Sequence, residues 1–257
     1  MATDGTQLDQ SGLDAHFRTF FKTQHRDFRA ANIARLVHSK LRDNGSILDI
    51  GCGSCVVTRF LLERGFTVTA ADTSSEMVDM AREFLAESGH AEMPIHHTDI
   101  AGCVEKFGAT FDQLVCLDVI EHIADDGAAV GDLFQLLKPG GRLVLSVPAM
   151  PSLYGPKDEQ VGHYRRYTKD MLRTLFADHG FKLRSLRYWN ALGVPITWVS
   201  LKVLRRAVSE AARQSNRSPV GELINTALRT WFRVIENPIP FPRGMTLLAV
   251  ADRPSES

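Results

Sequence analysis

The chain has 257 residues, 44% of them hydrophobic, which suits one large globular domain or one domain with an embellishment. Thirty basic residues balance thirty acidic ones, which argues against a dedicated nucleic-acid binder because such proteins carry a basic excess. Four cysteines are few for a disulfide-stapled secreted fold. The polar N-terminus has no basic-then-apolar leader, and no stretch reaches the ~18 apolar residues of a membrane span, so the expectation is a reduced, cytoplasmic protein.

Residues 1–12 read as unstructured. From Leu13 to Leu41, apolar residues (Phe17, Phe20, Phe21, Phe28, Ile33, Leu36, Val37) recur at helical spacing and predict one or two helices before the first strand. "SILDI" reads as a short buried strand, "VVTRFLLER" as a helix stopped by Gly65, and "TVTAAD" as a second strand. Thr73 and Glu76 stand at capping-box spacing ahead of "MVDMAREFLAES", a helix running to Gly89. "PIHHTD" is a weak third strand and "FDQLVCLDV" a strongly apolar fourth. "GAAVGDLFQLL" is a helix ending at the turn signal "KPGG", and "RLVLSVPA" is a fifth strand. A loop rich in Pro, Gly and aromatics covers 149–167. "TKDMLRTLFADHG" is a helix, "FKLRSLRYW" a sixth strand and "MTLLAVAD" a seventh.

Strands alternating with helices predict an α/β fold, Rossmann-like, with a seven-stranded, mostly parallel sheet covered by helices on both faces. The last two strands are expected as an antiparallel edge. Three regions follow: a helical segment, 1–45, covering the site; a ligand-binding core, 46–189 with 244–252; and a helical insertion, 190–243. That insertion exceeds ordinary connection lengths, so it is expected to serve as a lid, a membrane-surface element or a dimer element. The basic cluster Lys202, Arg205, Arg206, Arg213 and Arg217 reads by default as a solvated helix face. It also suits peripheral contact with anionic lipid through 190–217, and Trp198 and Trp231 suit homodimerisation.

Ligands of such sheets lie at the carboxyl ends of the strands. There, "ILDIGCGSC" (47–55) places Gly51 and Gly53 between a strand and a helix, where bare backbone N–H groups can approach a ligand. Asp72 ends the second strand, positioned to accept hydrogen bonds from ribose hydroxyls. Val56 stands where a dinucleotide loop needs Gly or Ala, and Asp49 would repel a pyrophosphate but suits a ligand carrying an ammonium and a sulfonium. Both departures disfavour a nicotinamide dinucleotide. Cys52 and Cys55 form a C-x-x-C pair without a second pair, so no metal role is assigned to them.

The series Asp49-Ile-Gly51-Cys-Gly53, then Asp72, "TD" at 98–99 and "LDVIEHI" at 117–123, resembles the class I S-adenosylmethionine-dependent methyltransferases, chiefly over residues 46–148. The resemblance implies S-adenosylmethionine as cofactor. Asp49, Gly51 and Gly53 would line its methionine end. Asp72, followed by Thr73, would hold the ribose. Asp99 and Ile100 would meet the adenine. Leu117 and Asp118 would sit beside the methionine moiety, with His122 close by. Cys55 replaces the last glycine of the family loop; the favoured reading is that this position needs only a small side chain. Taken singly, these acids also fit structural roles: Asp72 and Asp99 as caps or turn residues, Asp118 and Glu121 as helix-start carboxylates.

"DEQVGHYRRYT" (158–168) resembles a stretch that follows the fifth strand in small-molecule methyltransferases, which implies a lid over the acceptor. Histidine as a residue type suits general-base work, which makes His163 the candidate, and Tyr164 and Tyr167 are the expected companions that orient the acceptor; Tyr154 is a further candidate. Arg165 and Arg166 read as loop-pinning residues paired with carboxylates, and His25 and Arg26 as weak acceptor-site candidates. The expected reaction is methyl transfer to an oxygen or nitrogen of a small organic acceptor, a specialised metabolite or a lipid-like molecule. The alternatives are an NAD(P)-dependent oxidoreductase and a non-catalytic interaction protein that keeps the fold.

Overall fold

The computed structural model describes residues 28–202 and 219–255. The aromatics at 17–21, His25 and Arg26, and the basic residues at 205, 206, 213 and 217, lie outside the described residues.

Strands β1 (Ser46–Ile50), β2 (Thr67–Asp72), β3 (Ile95–His97), β4 (Phe111–Leu117), β5 (Leu137–Pro148), β6 (Lys182–Trp189) and β7 (Thr246–Asp252) form one sheet in the order β3-β2-β1-β4-β5-β7-β6. The first five run parallel, and β7 lies antiparallel between β5 and β6. The order reverses between β1 and β4, so a crevice opens at their carboxyl ends, and this fixes where a ligand sits.

Side-chain alternation explains the two covered faces. Leu48, Leu114, Leu145 and Ala249 point to one side, beneath helices α4 (Ile100–Phe107), α5 (Asp126–Leu136) and α7 (Lys169–Asp178). Ile47, Val115, Val144 and Leu248 point to the other, beneath α1 (Phe28–His38) and α2 (Val56–Leu62). Helix α3 (Ser75–Glu87) closes the β2–β3 end over Ala70 and Ile95 through Val78, Ala81 and Leu85. Its cap is Ser74, whose hydroxyl accepts the Met77 N–H, and not Thr73 as the capping-box spacing suggests.

The "KPGG" turn is drawn into β5, whose pairing with β4 shifts register between Phe111 and Gln113. The 149–167 loop contains a short helix, α6 (Pro156–Gln160), which the sequence reading leaves out. The insertion carries α8 (Gly193–Lys202) and α9 (Pro219–Trp231), continued by a π turn, Phe232–Glu236, and it exposes Trp198, Leu223 and Ile224. At the opposite end of the sheet from the crevice, buried Asp252 accepts from Arg142 Nε (2.8 Å) and Arg184 Nε (2.7 Å), tying β5, β6 and β7 together.

Candidate active site

The turn after β1 is shaped by backbone sign. Gly51 has φ +66°, and a Cβ there would stand 2.3 Å from Val119 Cγ2, so this position excludes any side chain. Gly53 has φ +50°, and its N–H donates to Asp72 Oδ2 at 2.9 Å. Asp72 Oδ1 accepts from Ser74 N–H at 3.0 Å, so the carboxylate at the tip of β2 is bound to the glycine turn itself. Cys55 corrects the small-side-chain reading: it is left-handed, φ 54° and ψ 24°, at the start of α2. A non-glycine residue there is strained by about 1–2 kcal/mol, against which the wholly buried side chain packs with Ala70, Val78 and Ala81. All four cysteines are free thiols, and those of Cys52 and Cys55 share a hydrogen bond.

Asp49 is buried beneath this turn and accepts the Thr58 hydroxyl from α2. Burial pushes its pKa up to about 7; the Thr58 hydrogen bond opposes this, and the nearby Asp72 charge adds to it. A carboxylate so poorly compensated favours a cationic ligand. This fits an aminoacyl sulfonium and opposes a pyrophosphate.

At the tip of β3, Asp99 caps α4 by accepting the Gly102 N–H at 2.8 Å, and Ile100 is buried beneath it. Both the cap and the glycine-turn carboxylate thus have local structural duties, and each leaves carboxylate lone pairs for a ligand. Leu117 ends β4, half-buried. Asp118 follows in the left-handed region, φ 53°, where its carboxylate accepts the Ser146 hydroxyl at 2.9 Å. The residue keeps a solvent-exposed face, while protein packed around its carboxyl raises its pKa.

The turn after β4 carries Glu121 and His122, and the lid brings His163 to them across 41 residues of chain. His163 Nε2 lies 4.0 Å from Glu121 Oε1, and the His122 and His163 rings meet edge to face with centroids 4.7 Å apart. The lid is latched to this turn by Tyr164 N–H to the Glu121 carbonyl (2.8 Å), and within the lid the Tyr154 hydroxyl donates to the His163 carbonyl (2.7 Å). His163 Nδ1 is 2.9 Å from Asp158 Oδ1, and Asp158 also accepts from Arg166 Nε at 2.8 Å. Arg165 pairs with Asp126 at 2.9 Å, so both arginines pin the loop. Burial, reinforced by the Asp118 charge, holds the Glu121 pKa well above the carboxylate range. Burial, with His163 nearby, lowers that of His122.

Tyr167 needs a correction. It is 1% exposed, packed in the core, with its hydroxyl donating to Asp126 Oδ2 at 2.8 Å, so it cannot reach an acceptor. Tyr164 is 60% exposed and stands at the lid surface. Asp49, Gly51, Gly53, Asp72 and Thr73 come together in one half of the crevice. Asp118, His122 and His163 come together in the other, and the Gly51–Val119 contact joins the halves. Sequence reasoning left out Thr58, Asp158 as the partner of His163, and Glu121 as more than a helix-start carboxylate. The "IEH" and "GH" pairs were the available signal.

A family model described as a methyltransferase domain matches residues 21–186. Among curated relatives, ubiquinone biosynthesis O-methyltransferases of Xylella fastidiosa are similar: that of strain 9a5c is 36% identical over 100 residues, covering 39% of this chain and 40% of the relative. That of strain M23 is 33% identical over 145 residues, covering 53% and 58%. The match thus spans about half the length of these relatives. Among solved structures, a SAM-dependent methyltransferase of Archaeoglobus fulgidus superposes with TM-score 0.57 at 15% identity, covering 87% of this chain and 92% of that one. Geranyl diphosphate C-methyltransferase of Streptomyces coelicolor A3(2) gives TM-score 0.60 at 14% identity, covering 87% and 79%. These likenesses support the fold, and the family match stands against the oxidoreductase alternative. The chain belongs to the class I S-adenosylmethionine-dependent methyltransferases.

Proposed function

We propose that this methyltransferase acts on a hydroxyl oxygen of a small organic acceptor held between the Asp118 end of the crevice and the 149–167 lid. The observation that carries this reading is the gathering of Asp118, Glu121, His122 and His163 where the two halves of the crevice meet. The cofactor supplies an electrophilic methyl on a sulfonium. Asp49 and the glycine turn would hold its cationic end, and Asp72 its ribose.

In-line displacement gains most from placing the nucleophile ~3–3.5 Å from the methyl, which a latched lid can do. A hydroxyl must also shed its proton, and His122 and His163 stand at the acceptor end of the crevice, where they can promote that loss. The relatives named as O-methyltransferases support oxygen over nitrogen. The Arg29 charge from α1 acts on Asp118, which supports a role for the start of α1 beside the same site. The apolar side chains exposed on 190–243 suit contact with an apolar acceptor or partner surface.

The test is to supply methyl-labelled cofactor with matched sets of hydroxylated and amine-bearing acceptors, both aromatic and polyprenyl. Label appearing in methyl ethers is expected. Label appearing only in methylated amines would overturn the oxygen assignment.

A further inference from the structure

Glu121 has an environment that neither the fold nor the lid explains. It is wholly buried, and neither carboxyl oxygen has a hydrogen-bond partner. A buried polar group left in this state is costly unless something meets it. What it faces is a pair of histidines: one ligand atom each from Glu121, His122 and His163 can be chosen so that all lie within 4.8 Å of one another.

We propose that Glu121, His122 and His163 bind a divalent first-row transition ion, whose open positions take the acceptor hydroxyl. This rests on the acceptor-site reading above and deepens it.

The second shell is of the kind metal histidines require. Asp158 Oδ1 engages His163 Nδ1 at 2.9 Å, which assigns that nitrogen as the protonated one and turns the Nε2 lone pair toward Glu121. Asp158 is itself fixed by Arg166 Nε at 2.8 Å and by Gly155 N–H at 3.1 Å. His122 lies next in sequence to Glu121, and its ring is set edge to face against His163. The backbones of the two arms are joined by the Tyr164 N–H to Glu121 carbonyl bond, so the third ligand does not depend on a free loop.

One carboxylate with two imidazoles favours Zn²⁺, Co²⁺ or Fe²⁺ over Mg²⁺ and Ca²⁺, which prefer all-oxygen shells. Bonds of about 2.0–2.2 Å put neighbouring ligand atoms roughly 3–3.5 Å apart, so loading draws the three side chains inward. Three protein ligands leave a position for substrate. An acceptor hydroxyl bound there loses its O–H proton to solvent as the oxygen–metal bond forms. The resulting oxyanion then forms the carbon–oxygen bond as the methyl–sulfur bond breaks, with no change in oxidation state.

The experiment uses tag-free, chelator-stripped full-length protein. Co²⁺ and Mg²⁺ are titrated separately, the Co²⁺ titration being followed by visible absorption as well as calorimetry. S-adenosylhomocysteine binding and thermal midpoint are recorded alongside. Wild type is expected to take up one equivalent of Co²⁺, with visible bands of an imidazole-ligated ion, and to bind Mg²⁺ at least 100-fold more weakly. Glu121→Gln and His163→Ala should each weaken Co²⁺ binding at least tenfold, while S-adenosylhomocysteine affinity stays within about threefold. Failure of wild type to bind Co²⁺, or binding that neither substitution changes, overturns the proposal. If S-adenosylhomocysteine binding is intact in that case, the methyltransferase reading of the crevice stands and only the ion falls.

Discussion

Asp49→Asn separates what the buried carboxylate does for the fold from what it does for the ligand. In the folded chain the Asp49 pKa stands at about 7 against an ordinary 3.8, chiefly through burial. Roughly three pKa units correspond to roughly 4 kcal/mol against the ionised form. The folded state binds more protons than the unfolded state between those two values. Stability attributable to this group is therefore full below pH 3.8, falls as pH rises through 7, and is flat above. An asparagine keeps an oxygen to accept the Thr58 hydroxyl but cannot ionise. Its amide N–H groups lack the partner a carboxylate does not need, which offsets part of the gain. The expected net effect at pH 8 is a stabilisation of about 2 kcal/mol, or a rise in thermal midpoint of about 4–8 °C for a chain of this size. Linkage makes that advantage roughly 2.5 kcal/mol smaller at pH 5, erasing it.

Cofactor binding should move the opposite way. Loss of a charge-assisted contact worth about 1.5–3 kcal/mol weakens S-adenosylhomocysteine binding about 10- to 100-fold at pH 8. Differential scanning calorimetry from pH 5 to 8, with titration calorimetry at pH 8, measures both. Parallel stability curves for the two proteins, or an unchanged dissociation constant, would refute the reasoning.

Asp72→Ala removes the carboxylate that spans Gly53 N–H and Ser74 N–H, and cofactor affinity should fall by about 1–3 kcal/mol in calorimetry. An unchanged dissociation constant would remove Asp72 from the site. Tyr167→Phe deletes the hydrogen bond to Asp126 in the core; chemical denaturation should report a loss of about 1.5 kcal/mol, with turnover of the folded variant retained. Asp252→Asn leaves Arg142 and Arg184 facing a neutral amide, so a loss of about 2–4 kcal/mol is expected at pH 7 by denaturant titration. Burial raises the Asp252 pKa, but the Arg142 and Arg184 hydrogen bonds outweigh it and hold it below the usual range. The stabilisation it supplies is therefore present above pH 3.8 and lost as pH falls through the lowered value, and the variant should lack that acid limb.

Period-two apolar runs and helical spacing were enough to place the strands and helices, because each element buries a face that its own residues define. The glycine turn was equally legible: a positive φ at Gly51 and Gly53 is a local demand, and so is a carboxylate at a strand tip. Cys55 was misread because its conformation is imposed by the turn it completes, and its side chain tolerates the left-handed state only by packing against α3. Tyr167 and His163 stand four residues apart in one motif and look alike in sequence. Packing against α5 carries the first into the core, while the turn after β4 receives the second. The same holds for Glu121. Its residue type and neighbours were plain, but the burial of its carboxyl group without a hydrogen-bond partner, facing His163 from a lid 42 residues on, is visible only in the folded chain. Local chemistry therefore determined the scaffold and the cofactor turn. Contacts between distant segments, which no spacing rule encodes, decided the protonation and company of the acceptor-side residues.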